Sequence, residues 1–211
     1  MYQLKIPGRH HFNPGLALVA ATNSPQGIRA ALEMHSQDGG SLAHLNLAGL
    51  DLSGANFADN TNFEGSSFHS SRLEGVQARG GYFAHCDLSY ACMSASDLRG
   101  ACFVSAQADG LVADSILAKK ASFSGAKIRR AVFNGADLRS ADFSHADAQQ
   151  ASFKGADLLL ASCGRMAFDS DCMAGCKTPL DVIQRYANMR TITSDLLEKY
   201  PHLRDELEDA K

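Results

Sequence analysis

The 211-residue chain has no tryptophan and only five prolines, and none of its apolar runs is long enough to cross a bilayer. Leu16 to Ala21 is too short for a secretory core and follows His and Pro residues, so the expected location is the cytoplasm. Neither sign of charge dominates: 20 Lys and Arg stand against 23 Asp and Glu, for a net charge of −3, which argues against direct binding of nucleic acid. There is no phosphate-binding glycine loop, nucleophile elbow, HExxH helix or convergent set of carboxylates. Catalysis and cofactor binding are therefore not expected. Cys172 and Cys176 resemble half of a metal site, but no further Cys or His pair lies nearby in sequence to complete four ligands.

What the chain does have is a period. From Phe63 to Met173 every fifth residue is apolar or small: Phe63, Phe68, Leu73, Ala78, Phe83, Leu88, Met93, Leu98, Phe103 and onward to Phe153, Leu158, Cys163 and Phe168. Two positions earlier lies a second small residue, most plainly in Ala121, Ala126, Ala131, Ala136, Ala141, Ala146, Ala151, Ala156 and Ala161. Each unit thus buries two residues and turns three outward. A five-residue repeat suits neither the 3.6-residue helix nor the two-residue strand, and it points to a coiled solenoid. Phenylalanine also returns at a spacing of 20, in Phe63, Phe83, Phe103, Phe123 and Phe143. Four units per coil would stack these rings in one internal column. Burial then contributes roughly 1.5–3 kcal/mol per ring, and stacking adds about 0.5–1.5 kcal/mol per pair.

The period slips once. Leu42, Leu47, Leu52 and Phe57 keep it, but Phe63 follows Phe57 by six residues, so one extra residue falls within Ala58-Asp59-Asn60-Thr61-Asn62. Asp and Asn tolerate tight turns, and a local corner bulge is the expectation.

The units read Ala55-Asn56-Phe57, Ala121-Ser122-Phe123, Ala136-Asp137-Leu138, Ala141-Asp142-Phe143, Ala151-Ser152-Phe153 and Ala156-Asp157-Leu158. Over about residues 42–176 this pattern strongly resembles the pentapeptide-repeat family. The resemblance implies an all-β solenoid, a right-handed four-sided β-helix in which each unit forms one side. Residues 1–41 would then form an N-terminal cap with one helix over about 25–36, begun by Ser24-Pro25 and bearing Ile28, Ala31, Leu32 and His35 on one face. Residues 177–211 would form a helical cap, starting at Thr178-Pro179 and carrying Leu180, Ile183, Tyr186, Leu196 and Leu197. In the quinolone-resistance branch of the family a C-terminal module joins two solenoids, so the resemblance also implies a homodimer through these residues.

The remaining cysteines and histidines fit the repeat. Cys86 and Cys163 fall on inward positions, whereas Cys92, Cys102 and Cys172 take the place of Asp, Asn or Ser and are expected to be partly exposed. His85 and His145 occupy matching corners three coils apart, too far for a common site.

A rigid solenoid offers surface, and surface of this kind binds macromolecules. At the spacing of 20, Arg79, Arg99, Lys119 and Arg139 stack on one wall, and Lys120, Lys127, Arg129 and Arg130 are expected to thicken the charge around its third coil. Tyr82, with Cys102 and Val104, forms a second candidate contact strip. Resemblance to gyrase-protecting members implies a DNA mimic, an acidic rod that a type II topoisomerase, gyrase or topoisomerase IV, accepts in place of duplex. The cationic column runs against a uniform acidic field. Asp97 and Asp137 flank Arg99 and Arg139, so an ion-paired, solvated face is one expectation for that wall. The alternative is an interaction scaffold, a secreted effector, or a phage or assembly component that binds an acidic partner through the basic column.

Overall fold

A computed structural model of the protein describes residues 25–177. Over residues 42–168 the chain winds into a right-handed four-sided β-helix. Each unit supplies a small inward residue, a bridge residue, a larger inward residue and a two-residue corner. At the corner ending the Phe103 unit, the Ala106 N–H donates to the Phe103 carbonyl at 3.1 Å, and Ser105 takes a left-handed φ of 55°. Such a φ is costly for most side chains and free for glycine. Gly65, Gly75, Gly125 and Gly135 accordingly recur at the same corner position.

Backbone groups pair between coils. Phe103 N donates to Ser122 O at 2.6 Å one coil on, and Cys102 N donates to Gly81 O at 2.9 Å one coil back. Four parallel bridge rows define the walls. The first runs Asn62, Tyr82, Cys102, Ser122, Asp142, Ser162, and the second Ser67, Asp87, Gln107, Lys127, Asp147, Ala167. The third runs Arg72, Cys92, Val112, Val132, Ser152, and the fourth Gln77, Asp97, Leu117, Asp137, Asp157. Walls two units apart in the chain face each other across the core, first against third and second against fourth.

The first wall's inward column is the expected one. Phe63, Phe83, Phe103, Phe123 and Phe143 stack at centroid spacings of 4.6, 5.0, 4.7 and 4.9 Å with ring planes within 12°. The structure adds a second stack on the opposite wall, Phe133 over Phe153 at 5.2 Å. Its rings meet the first column edge-on, at 5.6 Å for both Phe123–Phe133 and Phe143–Phe153. Stacked along the axis and edge-to-face across it, the rings use both favourable aromatic geometries.

The small inward positions also carry polar chemistry. Ser96 Oγ donates to Leu73 O at 2.7 Å and accepts from Val76 N at 3.1 Å. Ser66 does the same with Leu42 O and Leu45 N. Cys86 Sγ donates to Phe63 O at 3.0 Å. These side chains sew adjacent coils together at buried carbonyls.

At the N-terminal end α1, Pro25–Gln37, lies against the first coil. Leu32 enters the core, Arg29 donates to Ser53 O at 2.7 Å, and Glu33 accepts from Asn56 N at 2.7 Å. The extra residue lies in Ala58–Thr61, because bridges step by 21 residues up to Asn56–Gln77 and by 20 from Asn62–Tyr82. Asn60 there is left-handed at φ 61°. Ser36 Oγ of α1 accepts from Ala58 N at 3.2 Å, which ties the bulged segment to the helix end.

Two expectations change at the C-terminal end. Cys172 is buried rather than partly exposed, because a 3-10 turn over Ser170–Met173 replaces the repeat there and rotates its side chain inward. Phe168 is half-exposed instead of fully inward, since the regular bridge rows end at Ala167. Ser24 and the proposed contact residues Leu180, Ile183, Tyr186, Leu196 and Leu197 lie outside the described residues.

Candidate functional site

The fourth wall ends in a corner that holds Arg79, Arg99, Lys119 and Arg139, each directly after an inward residue, with Lys120 as the second residue of the Lys119 corner. Lys127, Arg129 and Arg130 do not join them. They belong to the second wall and its far corner, on the opposite side of the rod. The expected single basic surface is therefore two separate ones, because half a coil lies between Lys119 and Arg129 and turns the chain through two corners.

Most of the arginines are engaged. Asp97, nearly buried, receives Arg79 Nε at 2.7 Å on Oδ2, Arg99 Nε at 2.8 Å on Oδ1 and Arg99 Nη2 at 2.6 Å on Oδ2. The Arg99 hydrogen bonds lead in pulling the Asp97 carboxyl down to about 2, against the upward push of burial. Two coils on, Arg139 holds Asp137 through Nε and Nη2, both at 2.8 Å. Burial pushes Asp137 upward, yet Arg139 and Lys119 hold it below the usual carboxylate range.

Between these acids the fourth row carries Leu117, which is 42% exposed. Lys119 consequently has no carboxylate in its own unit. Among the described residues neither Lys119 nor Lys120 makes an ion pair. Both line a shallow open depression with Arg99 and Gly100, and a Cβ added to Gly100 would meet no atom within 4 Å. The sequence reading did not single out Leu117. The signal was available, since the bridge row read at intervals of 20 gives Asp97, Leu117, Asp137.

On the second wall Arg129 Nη2 lies 2.6 Å from Asp147 Oδ2, and its backbone N–H donates to Asp109 at 3.1 Å. Arg130 donates to the Gln150 side chain at 3.2 Å. On the first wall Tyr82 is 46% exposed and bridges to Cys102. Tyr90 is more exposed, at 61%, and takes a left-handed φ of 59° with its ring edge-on to His69 at 5.7 Å. Sequence reasoning missed it, although the glycine one coil on, Gly110, marks where the ring lies.

No group of three or more His, Cys, Asp or Glu side chains is placed to hold a metal ion among the described residues. Burial pushes the thiols of Cys86, Cys163 and Cys172 up to about 12, which keeps them protonated and poorly nucleophilic. His85 and His145 sit on left-handed corners three coils apart. No described helix is long and apolar enough to cross a membrane.

A model of pentapeptide repeats matches residues 71–104 and 120–158, in eight copies. Among solved structures, HetL, a pentapeptide repeat protein involved in heterocyst differentiation regulation in Nostoc sp. strain PCC 7120, is 19% identical, with 65% of this chain and 73% of that one covered and a TM-score of 0.30. Trypsin-treated QnrB1, a plasmid-mediated fluoroquinolone resistance protein, is 17% identical over 70% of this chain and 98% of its own, with a TM-score of 0.31. A pentapeptide repeat protein from the Arabidopsis thaliana thylakoid lumen is 26% identical over 61% and 91%, with a TM-score of 0.27. No curated protein matches the chain.

Proposed function

Since this chain is a pentapeptide-repeat protein, we propose that its solenoid acts as a non-catalytic binding rod for a protein partner in the cytoplasm. The observation that carries this reading is the fixed presentation of side chains: each wall displays one bridge residue per coil, at about 4.8 Å intervals set by backbone pairing. The specific version of the reading is a DNA-mimic partner of a bacterial type II topoisomerase, gyrase or topoisomerase IV. The pairing of Arg79, Arg99 and Arg139 with Asp97 and Asp137 supports it, because it cancels much of the positive field that otherwise opposes a phosphate-like surface. Purified protein should then alter gyrase supercoiling or drug-stabilised cleavage at low micromolar concentration. Absence of any effect on gyrase from several bacteria overturns this version. A homodimer through Leu180, Ile183, Tyr186, Leu196 and Leu197 belongs to the same proposal, and light scattering on the full chain tests it.

A second reading, capture of an acidic partner by the basic column, draws on Lys119 and Lys120. They are cations of the fourth wall with no ion pair among the described residues, so their charge is available to a ligand.

A further inference from the structure

We propose that the middle of the fourth wall is a docking station for an extended acidic peptide segment, with Lys119 and Lys120 receiving one carboxylate and Leu117 receiving the apolar side chain beside it. The inference rests on the second reading above and narrows it to a partner class and three residues.

Three features meet there. The first is the break in the acidic row. The fold accepts Asp at 97, 137 and 157 on that row and places an exposed leucine at 117. An internal acid that would neutralise Lys119 is thus replaced by apolar surface. The second is the state of the cations. Asp97 accepts from Arg79 Nε and from Arg99 Nε and Nη2, and Asp137 accepts from Arg139 Nε and Nη2, whereas Lys119 and Lys120 make no ion pair among the described residues. The third is shape. Gly100 lies beneath the two lysines, and the absence of its side chain opens the depression between Arg99 and Lys120.

Charge decides what kind of anion fits. The cations without an ion pair are confined to one coil, with Asp97 nearly buried under Arg79 and Arg99 on one side and Asp137 and Asp157 on the other. A duplex, with one negative charge about every 1.7 Å along its axis, would lay further phosphates over Asp137 and Asp157. A single carboxylate meets only the lysines. The exposed Leu117, two residues before Lys119 on the same wall, favours a polypeptide over an inorganic anion, because an extended chain can set an aliphatic and an acidic side chain on one face.

The test is fluorescence anisotropy on the full chain with a labelled glutamate–leucine peptide, in which glutamate and leucine stand two residues apart with serine between them so that both lie on one face of the extended chain, beside glutamate–serine and glutamine–leucine analogues and a short DNA duplex. The glutamate–leucine peptide should bind, and each analogue should bind at least about tenfold more weakly. The double change Lys119→Ser with Lys120→Ser should cost a similar factor. So should Leu117→Asp, which restores the residue type the row carries at 97 and 137 and hence folds normally, as a thermal melt checks. Arg130→Ser, on the opposite side of the rod, should leave binding unchanged. Equal binding of the glutamate–serine peptide, or no effect of Leu117→Asp, overturns the proposed station while leaving an acidic partner in place. Tighter binding of the duplex, lost in the lysine double variant, overturns it in favour of nucleic acid. If no acidic probe binds, the second reading falls with it.

Discussion

Arg99 grips Asp97 with two parallel hydrogen bonds, Nε to Oδ1 at 2.8 Å and Nη2 to Oδ2 at 2.6 Å, and in doing so covers a carboxylate that the β-helix nearly buries. The pair belongs to one repeat unit, but Arg79 from the coil beneath adds a third bond to Oδ2. Wall charge in this protein is thereby coupled to coil stacking.

The pair predicts an acid limb of stability. The Asp97 carboxyl is lowered from 3.8 to about 2 in the folded protein, so the native state keeps it ionised where the unfolded chain would protonate it. Its stabilisation is complete above 3.8 and is lost as pH falls from there towards about 2. Thermal unfolding of Asp97→Asn followed across that window should fall less steeply with acid than wild type. An unchanged slope would show that Asp97 is not a source of the acid limb.

Truncation inside the aromatic column should be severe. Phe103 stacks on Phe83 and Phe123 at 5.0 and 4.7 Å, and the backbone pairing of the walls limits how far the void can collapse. Phe103→Ala is expected to cost about 3–5 kcal/mol in denaturant unfolding. Phe103→Leu should cost less, since it retains more of the buried volume.

Ser96 separates hydrogen bonding from volume. Ser96→Ala leaves the Val76 N–H and the Leu73 carbonyl with only their long mutual bond of 3.3 Å inside the rod, for a loss of about 0.5–1.5 kcal/mol. Ser96→Cys should recover much of that, because Cys86 makes the corresponding bond to Phe63 O at 3.0 Å. Equal losses in the two variants would contradict the bridging role.

Gly110 should be less replaceable than Gly100. Both are left-handed, at φ 68° and 70°, so either Ala variant carries backbone strain of about 1 kcal/mol. Only at Gly110 would the new Cβ strike the Tyr90 ring, 2.8 Å from Cδ1. Gly110→Ala should therefore lower the melting temperature more than Gly100→Ala, and adding Tyr90→Ser should remove the difference.

Thiol labelling should follow burial. Cys86, Cys163 and Cys172, pushed up to about 12 by desolvation, should resist iodoacetamide at neutral pH, while half-exposed Cys92 and Cys102 react, as mass spectrometry would read. Rapid labelling of Cys172 in the native protein would contradict its inward position.

How much of this was legible in the sequence depends on the range of the interaction involved. The spacing of Phe63 to Phe143 exposed the stack because each coil consumes the same number of residues, so contact between coils becomes a fixed offset along the chain. The same rule placed the extra residue near Asn60. It did not reveal why α1 sits there, since the bond from Ala58 N to Ser36 joins a bulge to a helix outside the repeat. The Phe133–Phe153 stack was present in the list of inward residues, but its edge-on contact with the first column is a relation across the core that linear spacing does not display. Cys172 was misjudged because the period was carried into Ser170–Met173, where the 3-10 turn abandons it.

The five-residue period by itself determined the four-sided solenoid, the inward set and the residues stacked on each wall, because a regular coil turns sequence distance directly into position. Only the tertiary structure decided which of those stacked charges remain available. Arg79 and Arg99 converge on one buried carboxylate, Arg129 lies on the opposite side from Lys119, and Leu117 leaves Lys119 without an acid in its own unit. Electrostatic partnership falls off within a few ångströms and depends on side-chain direction, and the period specifies neither.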